Sequence, residues 1–74
     1  MTLSELSVNK IAIVEGFASK TPFNDRLIAL GIKKNKEIKI LRKSRLNGPL
    51  HVEVGVTQLM LRELVAEEII ISQL

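Results

Sequence analysis

Apolar and polar residues alternate in short runs along most of this chain, and the runs read as β-strands. Leu50, Val52 and Val54 alternate with His51 and Glu53, the period-2 pattern of a strand with one buried face. Ile11 to Phe17 is a first strand, with Ile11, Ile13 and Phe17 expected toward the core and Gly16 marking a bulge or bend. Glu37 to Lys43 follows, with Ile38 and Ile40 inward and its cations mostly outward. Asn47-Gly48 is a turn signal and Pro49 fixes the chain as it re-enters a strand. Gly55 turns the chain into Val56–Leu61, Arg62–Ala66 makes a short turn or 3-10 piece, and Ile69–Ser72 closes the set.

One stretch departs from this pattern. In TPFNDRLIALGI, residues 21–32, Thr21 is an N-cap, Pro22 stands where a missing N–H costs nothing, and Asp25 meets the positive end of the helix dipole. Gly31 supplies the left-handed residue that ends a helix. Phe23, Leu27 and Leu30 recur at helical spacing and are expected to form one buried stripe, which leaves Ile28 pointing away. Upstream, Thr2 with Glu5 has capping-box spacing and predicts one helical turn, with Leu3 and Leu6 packing inward. Asn9 and Asn35 are expected at positive φ in two further turns.

Five short strands with one inserted short α-helix make a mainly β fold, and a small, partly open β-barrel satisfies them best because it limits exposed edges. No linker, repeat or low-complexity segment divides the sequence, so residues 1–74 are expected to form a single domain. The hydrophobic fraction is 46% with only two aromatic residues, so the core must be aliphatic. A chain this small buries only part of that apolar content, which favours a partner or weak self-association.

The absence of cysteine excludes disulfides and thiolate metal sites. MTLSELSV has neither a basic region nor a long apolar run, so no signal peptide is expected. The apolar runs Ile11–Val14 and Ile69–Ile71 fall far short of the ~20 residues of a membrane span. A cytoplasmic location is the expectation that remains.

No catalytic set is present, and neither a cofactor site nor a metal site is predicted. His51 alternates outward beside Glu53 without further ligands, and Glu63, Glu67 and Glu68 read as solvated carboxylates. Gly16, Gly31, Gly48 and Gly55 are scattered singly and make no phosphate loop. Charge is the sharper feature. Lys33, Lys34, Lys36, Lys39, Arg42, Lys43 and Arg45 stand against Glu37 alone, so this segment carries +6 and the remainder −3 of a net +3. Such a run can contact nucleic-acid phosphates, dock on an acidic protein or an anionic membrane surface, or simply keep a strand face solvated. Single-strand binders add aromatic stacking platforms, and this chain has no Trp or Tyr.

Taken in order, these signals resemble a known family. Leu3-x-x-Leu6 with a turn at Asn9, Arg26-Leu27-x-x-Leu30-Gly31-Ile32, and a turn at Asn35 before an Ile- and Arg-containing strand all belong to its pattern. So do Pro49 before an alternating strand and Leu59-Met60-Leu61-Arg62-x-x-x-Ala66-x-x-Ile69-x-Ile71. Over essentially its whole length the chain is similar to the FeoA family, small cytosolic proteins of bacterial ferrous iron uptake. The turns at Asn9 and Asn35 usually carry Gly in that family, and Asn tolerates the same backbone. The resemblance implies an SH3-like barrel with an inserted helix. It also implies a role beside the membrane permease FeoB, whose cytosolic part is a GTP-binding domain. Similar domains end some metal-dependent repressors.

These observations set the functional expectation as a non-enzymatic accessory protein that binds and modulates the cytosolic side of a FeoB-type GTP-dependent Fe(II) permease. The alternative is a small basic barrel that binds nucleic acid through Lys33–Arg45. The residues expected at the partner surface are Arg26, Ile28, Lys39, Arg42 and Leu46. Ile28 and Leu46 would supply exposed apolar contact, and the cations would steer association.

Overall fold

The computed structural model describes all residues, Met1–Leu74. Five strands, β1 (Ile11–Phe17), β2 (Glu37–Lys43), β3 (Leu50–Val54), β4 (Thr57–Leu61) and β5 (Ile69–Gln73), form one antiparallel sheet in the order β4-β3-β2-β1-β5. The sheet curls around an aliphatic core, and its two edge strands, β4 and β5, do not pair with each other. This is the partly open barrel expected from the strand pattern. A 3-10 turn, Leu3–Glu5, precedes β1; helix α1 (Pro22–Ala29) lies between β1 and β2; and α2 (Glu63–Ala66) carries the chain from β4 to β5.

The local signals at the ends of α1 act as read. Thr21 Oγ1 accepts from the Asn24 backbone N–H at 3.0 Å, Pro22 opens the helix, and Gly31 at φ +111° ends it. Glu5 Oε1 accepts from the Thr2 backbone N–H at 2.7 Å, holding the 3-10 turn, while Leu3 and Leu6 are fully buried. Asn9 and Asn35 take φ of +67° and +74°. The β1–β5 register shifts between Val14 and Gly16, which is the bulge expected at that glycine.

Three expectations fail, each for a physical reason. In β1 the inward residues are Ala12 and Val14, whereas Ile11 is exposed and Ile13 half-buried. β1 lies between β2 and β5, and Ala12 faces Ile38 while Val14 faces Ile71. Small side chains fit between those bulky neighbours, so the larger isoleucines take the outer face. On α1, Phe23 and Leu30 are 48% and 50% exposed, and Leu27 and Asn24 are the buried pair. A helix of eight residues meets the barrel along only a narrow line. Asn24 holds its place on that line because its Nδ2 donates to Ser19 O at 2.9 Å, and Ile32, just past the helix, is fully buried in the core. Last, Arg62–Ala66, expected as a turn or 3-10 piece, becomes a full α-turn over Glu63–Ala66, because the Ala66 and Glu67 N–H groups donate to the Arg62 and Glu63 carbonyls four residues back, each at 3.0 Å.

Candidate partner-binding surface

The polar groups on the outer sheet face bond to one another and do not converge on a point. Gln58 bridges His51 and Glu53: its Oε1 lies 3.0 Å from His51 Nε2, and its Nε2 donates to Glu53 Oε2 at 3.4 Å. Glu68 bonds Ser19 Oγ and Glu15 accepts from Ser72 Oγ at 2.6 Å, so Glu68 is drawn toward the loop after β1. No group of three His, Asp or Glu side chains is placed to hold a metal ion.

The five residues expected at a partner surface occupy separate regions. Arg26 is exposed on α1. Ile28, 40% exposed, borders a shallow cavity with Phe17, Lys20 and Asp25. Lys39 stands on the outer sheet face between Ile11 and Glu53, so a carboxylate lies directly across the ladder from it. Arg42 is exposed just past the β2–β3 register shift, opposite His51. Leu46 is on the β2–β3 loop and 97% exposed. The β2 strand that separates Lys36 from Lys43 is roughly 20 Å long at about 3.3 Å per residue, so the cationic run is spread over opposite ends of the barrel.

The structure assembles a different apolar surface. Phe23 of α1, Met60 and Leu61 of β4, Arg62, and Val65 of α2 line a cavity of about 380 Å³. It opens beside the outer edge of β4, which pairs only with β3. An unpaired strand edge offers N–H and C=O groups to an added strand, and flanking apolar pockets give such an addition its selectivity. Met60 is 60% exposed. The sequence held one sign of this: Leu59-Met60-Leu61 is a run of three apolar residues in a strand, and a period of two obliges one of them to face away from the core. Phe23 gave no such sign, because its helical spacing from Leu27 reads as core. Arg62 is exposed at the N-cap of α2, its side chain makes no capping hydrogen bond, and it lines both this cavity and the neighbouring depression beside Pro49.

The FeoA domain model matches residues 1–73. The chain belongs to the FeoA family. It is similar to Stenotrophomonas maltophilia FeoA, solved in complex with zinc, at 33% identity over 97% of this chain and 89% of that one, with a TM-score of 0.87. That protein is described as a prokaryotic SH3-domain protein and a candidate activating factor for bacterial ferrous iron transport. Chlorobium tepidum FeoA is 32% identical over all of this chain and 70% of that one, with a TM-score of 0.92. A manganese-dependent transcriptional repressor shares the fold at 19% identity, this chain covering 41% of its length with a TM-score of 0.86. No curated protein matches the chain in sequence. The barrel of this FeoA-family chain is therefore SH3-like, and its family is linked to ferrous iron transport.

Proposed function

We propose that this chain is a non-enzymatic, cytoplasmic accessory protein of bacterial ferrous iron uptake. In this reading, residues 1–74 act as one unit that binds the cytosolic side of a FeoB-type GTP-dependent Fe(II) permease and modulates it. Family membership supports the iron-transport setting. The observation that carries a binding role is the open apolar cavity of Phe23, Met60, Leu61 and Val65 beside the free edge of β4. A partner strand laid along β4 would gain main-chain hydrogen bonds and cover those side chains. Ile28 and Arg26 on the same helix would extend the contact, with Lys39, Arg42 and Leu46 farther off.

The nucleic-acid alternative is less well supported. Lys39, at the centre of the cationic strand, lies opposite Glu53; Phe17 packs against the core, and the exposed Phe23 belongs to α1, not to the cationic strand.

The test is capture of purified chain on the permease's GTPase domain and on the whole permease, in nucleotide-free, GDP and GTP-analogue states. Met60→Asp places a charge in the cavity and is expected to abolish capture, and Ile28→Asp to weaken it. Retention of Met60→Asp at wild-type strength removes the cavity from the interface. Absence of any capture overturns the permease reading, and steeply salt-dependent binding to single-stranded oligonucleotides would put the alternative in its place.

A further inference from the structure

The loop between β2 and β3 holds a leucine out in water at a cost to the backbone. Leu46 is 97% exposed and sits at φ +56°, followed by Asn47 at +60°. Left-handed backbone suits Asn47, but it is rare for a bulky side chain, and Leu46 recovers nothing by burial. A second aliphatic residue stands nearby. Leu64, in the first turn of α2, is 76% exposed. Residues Asn47, Gly48 and Pro49 line one depression together with Arg62, Glu63 and Leu64. The Leu50–Leu61 pair explains the closeness, because it sets the start of β3 beside the end of β4.

Cations flank the two leucines along the chain, Arg45 beside Leu46 and Arg62 two residues before Leu64. Arg42, Lys43, Arg45 and Arg62 are all exposed on the β2–β3 side of this end, while the carboxylates Glu63 and Glu67 of α2 and Glu5 of the 3-10 turn lie on its other side. Lys43 Nζ donates to Ser4 O at 3.1 Å, which holds it at the same end of the barrel.

We infer that this end of the barrel docks on an anionic phospholipid surface. Leu46 and Leu64 enter the headgroup region while Arg42, Arg45 and Arg62 meet lipid phosphates. Charge complementarity selects an anionic occupant, and the shape selects a fluid one. Leu46 projects as a convex aliphatic point, so a protein partner would need a pocket built to receive it. Nucleic acid offers phosphates, but a leucine gives its bases nothing to stack on. A bilayer interface takes aliphatic side chains without a matching pocket and rewards flanking Lys and Arg. The inference rests on the β2–β3 loop and the start of α2 and does not require the permease reading, although the two share Arg42 and Leu46; vesicles without protein separate them.

The experiment is flotation with protein-free vesicles of phosphatidylcholine, with and without phosphatidylglycerol, at low and high salt. Wild-type chain is expected to float with the phosphatidylglycerol vesicles, to stay behind with neutral ones, and to be released by salt. Leu46→Asn, which suits the left-handed position and so retains the fold, is expected to bind about tenfold more weakly. Arg45→Gln is expected to weaken binding about fivefold at low salt. The chain has no Trp, so Leu46→Trp supplies a single emission reporter that should shift to shorter wavelength on the anionic vesicles. Failure of wild-type chain to float with anionic vesicles at low salt overturns the inference. So does equal binding by Leu46→Asn, which would leave only diffuse electrostatics. Flotation that occurs only when the permease is in the vesicle also overturns it, because Leu46 would then be a protein contact.

Discussion

Replacing an exposed leucine with a polar residue ordinarily leaves stability unchanged, yet Leu46→Asn should stabilise this protein. The side chain is 97% exposed, so its removal forfeits almost no burial. The backbone is at φ +56°, where a residue with an ordinary Cβ pays roughly 1–2 kcal/mol and Asn pays much less. The expected gain is about 1 kcal/mol. For a domain of this size it corresponds to a rise in Tm of roughly 4–8 °C. Urea and thermal unfolding followed by far-ultraviolet circular dichroism measure it, with Leu46→Ala as the control. Alanine has a Cβ like asparagine but no carboxamide to hydrogen-bond the local backbone, so it keeps the strain and should lie within about 0.5 kcal/mol of wild type. A stabilised Leu46→Ala, or a Leu46→Asn that unfolds no later than wild type, would refute the argument that the backbone at this position carries the cost.

Other perturbations test neighbouring parts of the same account. Gly48→Ala would put a Cβ 2.7 Å from Ser44 Cβ and 3.2 Å from Arg45 O, so it should cost about 1–3 kcal/mol in the urea midpoint although it lies only two residues from Leu46. Leu27→Ala should cost about 3 kcal/mol, since Leu27 is the apolar side chain that α1 buries, while half-exposed Phe23→Ala should cost clearly less; equal costs would contradict the observed phase of the helix. Glu5 is held below its ordinary pKa chiefly by the hydrogen bond from the Thr2 backbone N–H. A depressed carboxylate pKa stabilises the fold above the unfolded-state value and loses that contribution as pH falls through the folded one. Urea midpoints of wild type and Glu5→Gln should therefore differ at neutral pH and converge as the solution is acidified below the carboxylate range.

Much of this protein is determined by sequence alone, because the relevant physics is local. The ends of α1 follow from Thr21, Pro22 and Gly31; the turns at Asn9 and Asn35 follow from side chains that tolerate positive φ; and β3 follows from strict alternation. The partly open barrel follows from five such strands curling around one aliphatic core, with β4 and β5 left as free edges. The FeoA resemblance was legible for the same reason, since its motifs are these local signals in a fixed order. The exposure of Leu46 was legible as well, whereas Ile28 is exposed together with Phe23 and Leu30, not opposite a buried stripe of them.

What tertiary structure decided is which of two equally apolar faces points inward. In β1 the alternation is satisfied by either parity, and only the neighbours Ile38 and Ile71 select Ala12 and Val14 over the larger isoleucines. On α1, the narrow line of contact and the Asn24–Ser19 hydrogen bond leave Phe23 outside the core. The meeting of Phe23 with Met60 and Val65, and of the β2–β3 loop with Leu64, joins residues far apart in the chain. No periodicity encodes such a meeting. It exists only once the sheet has curled and its register has set β4 and α2 against the elements that came before them.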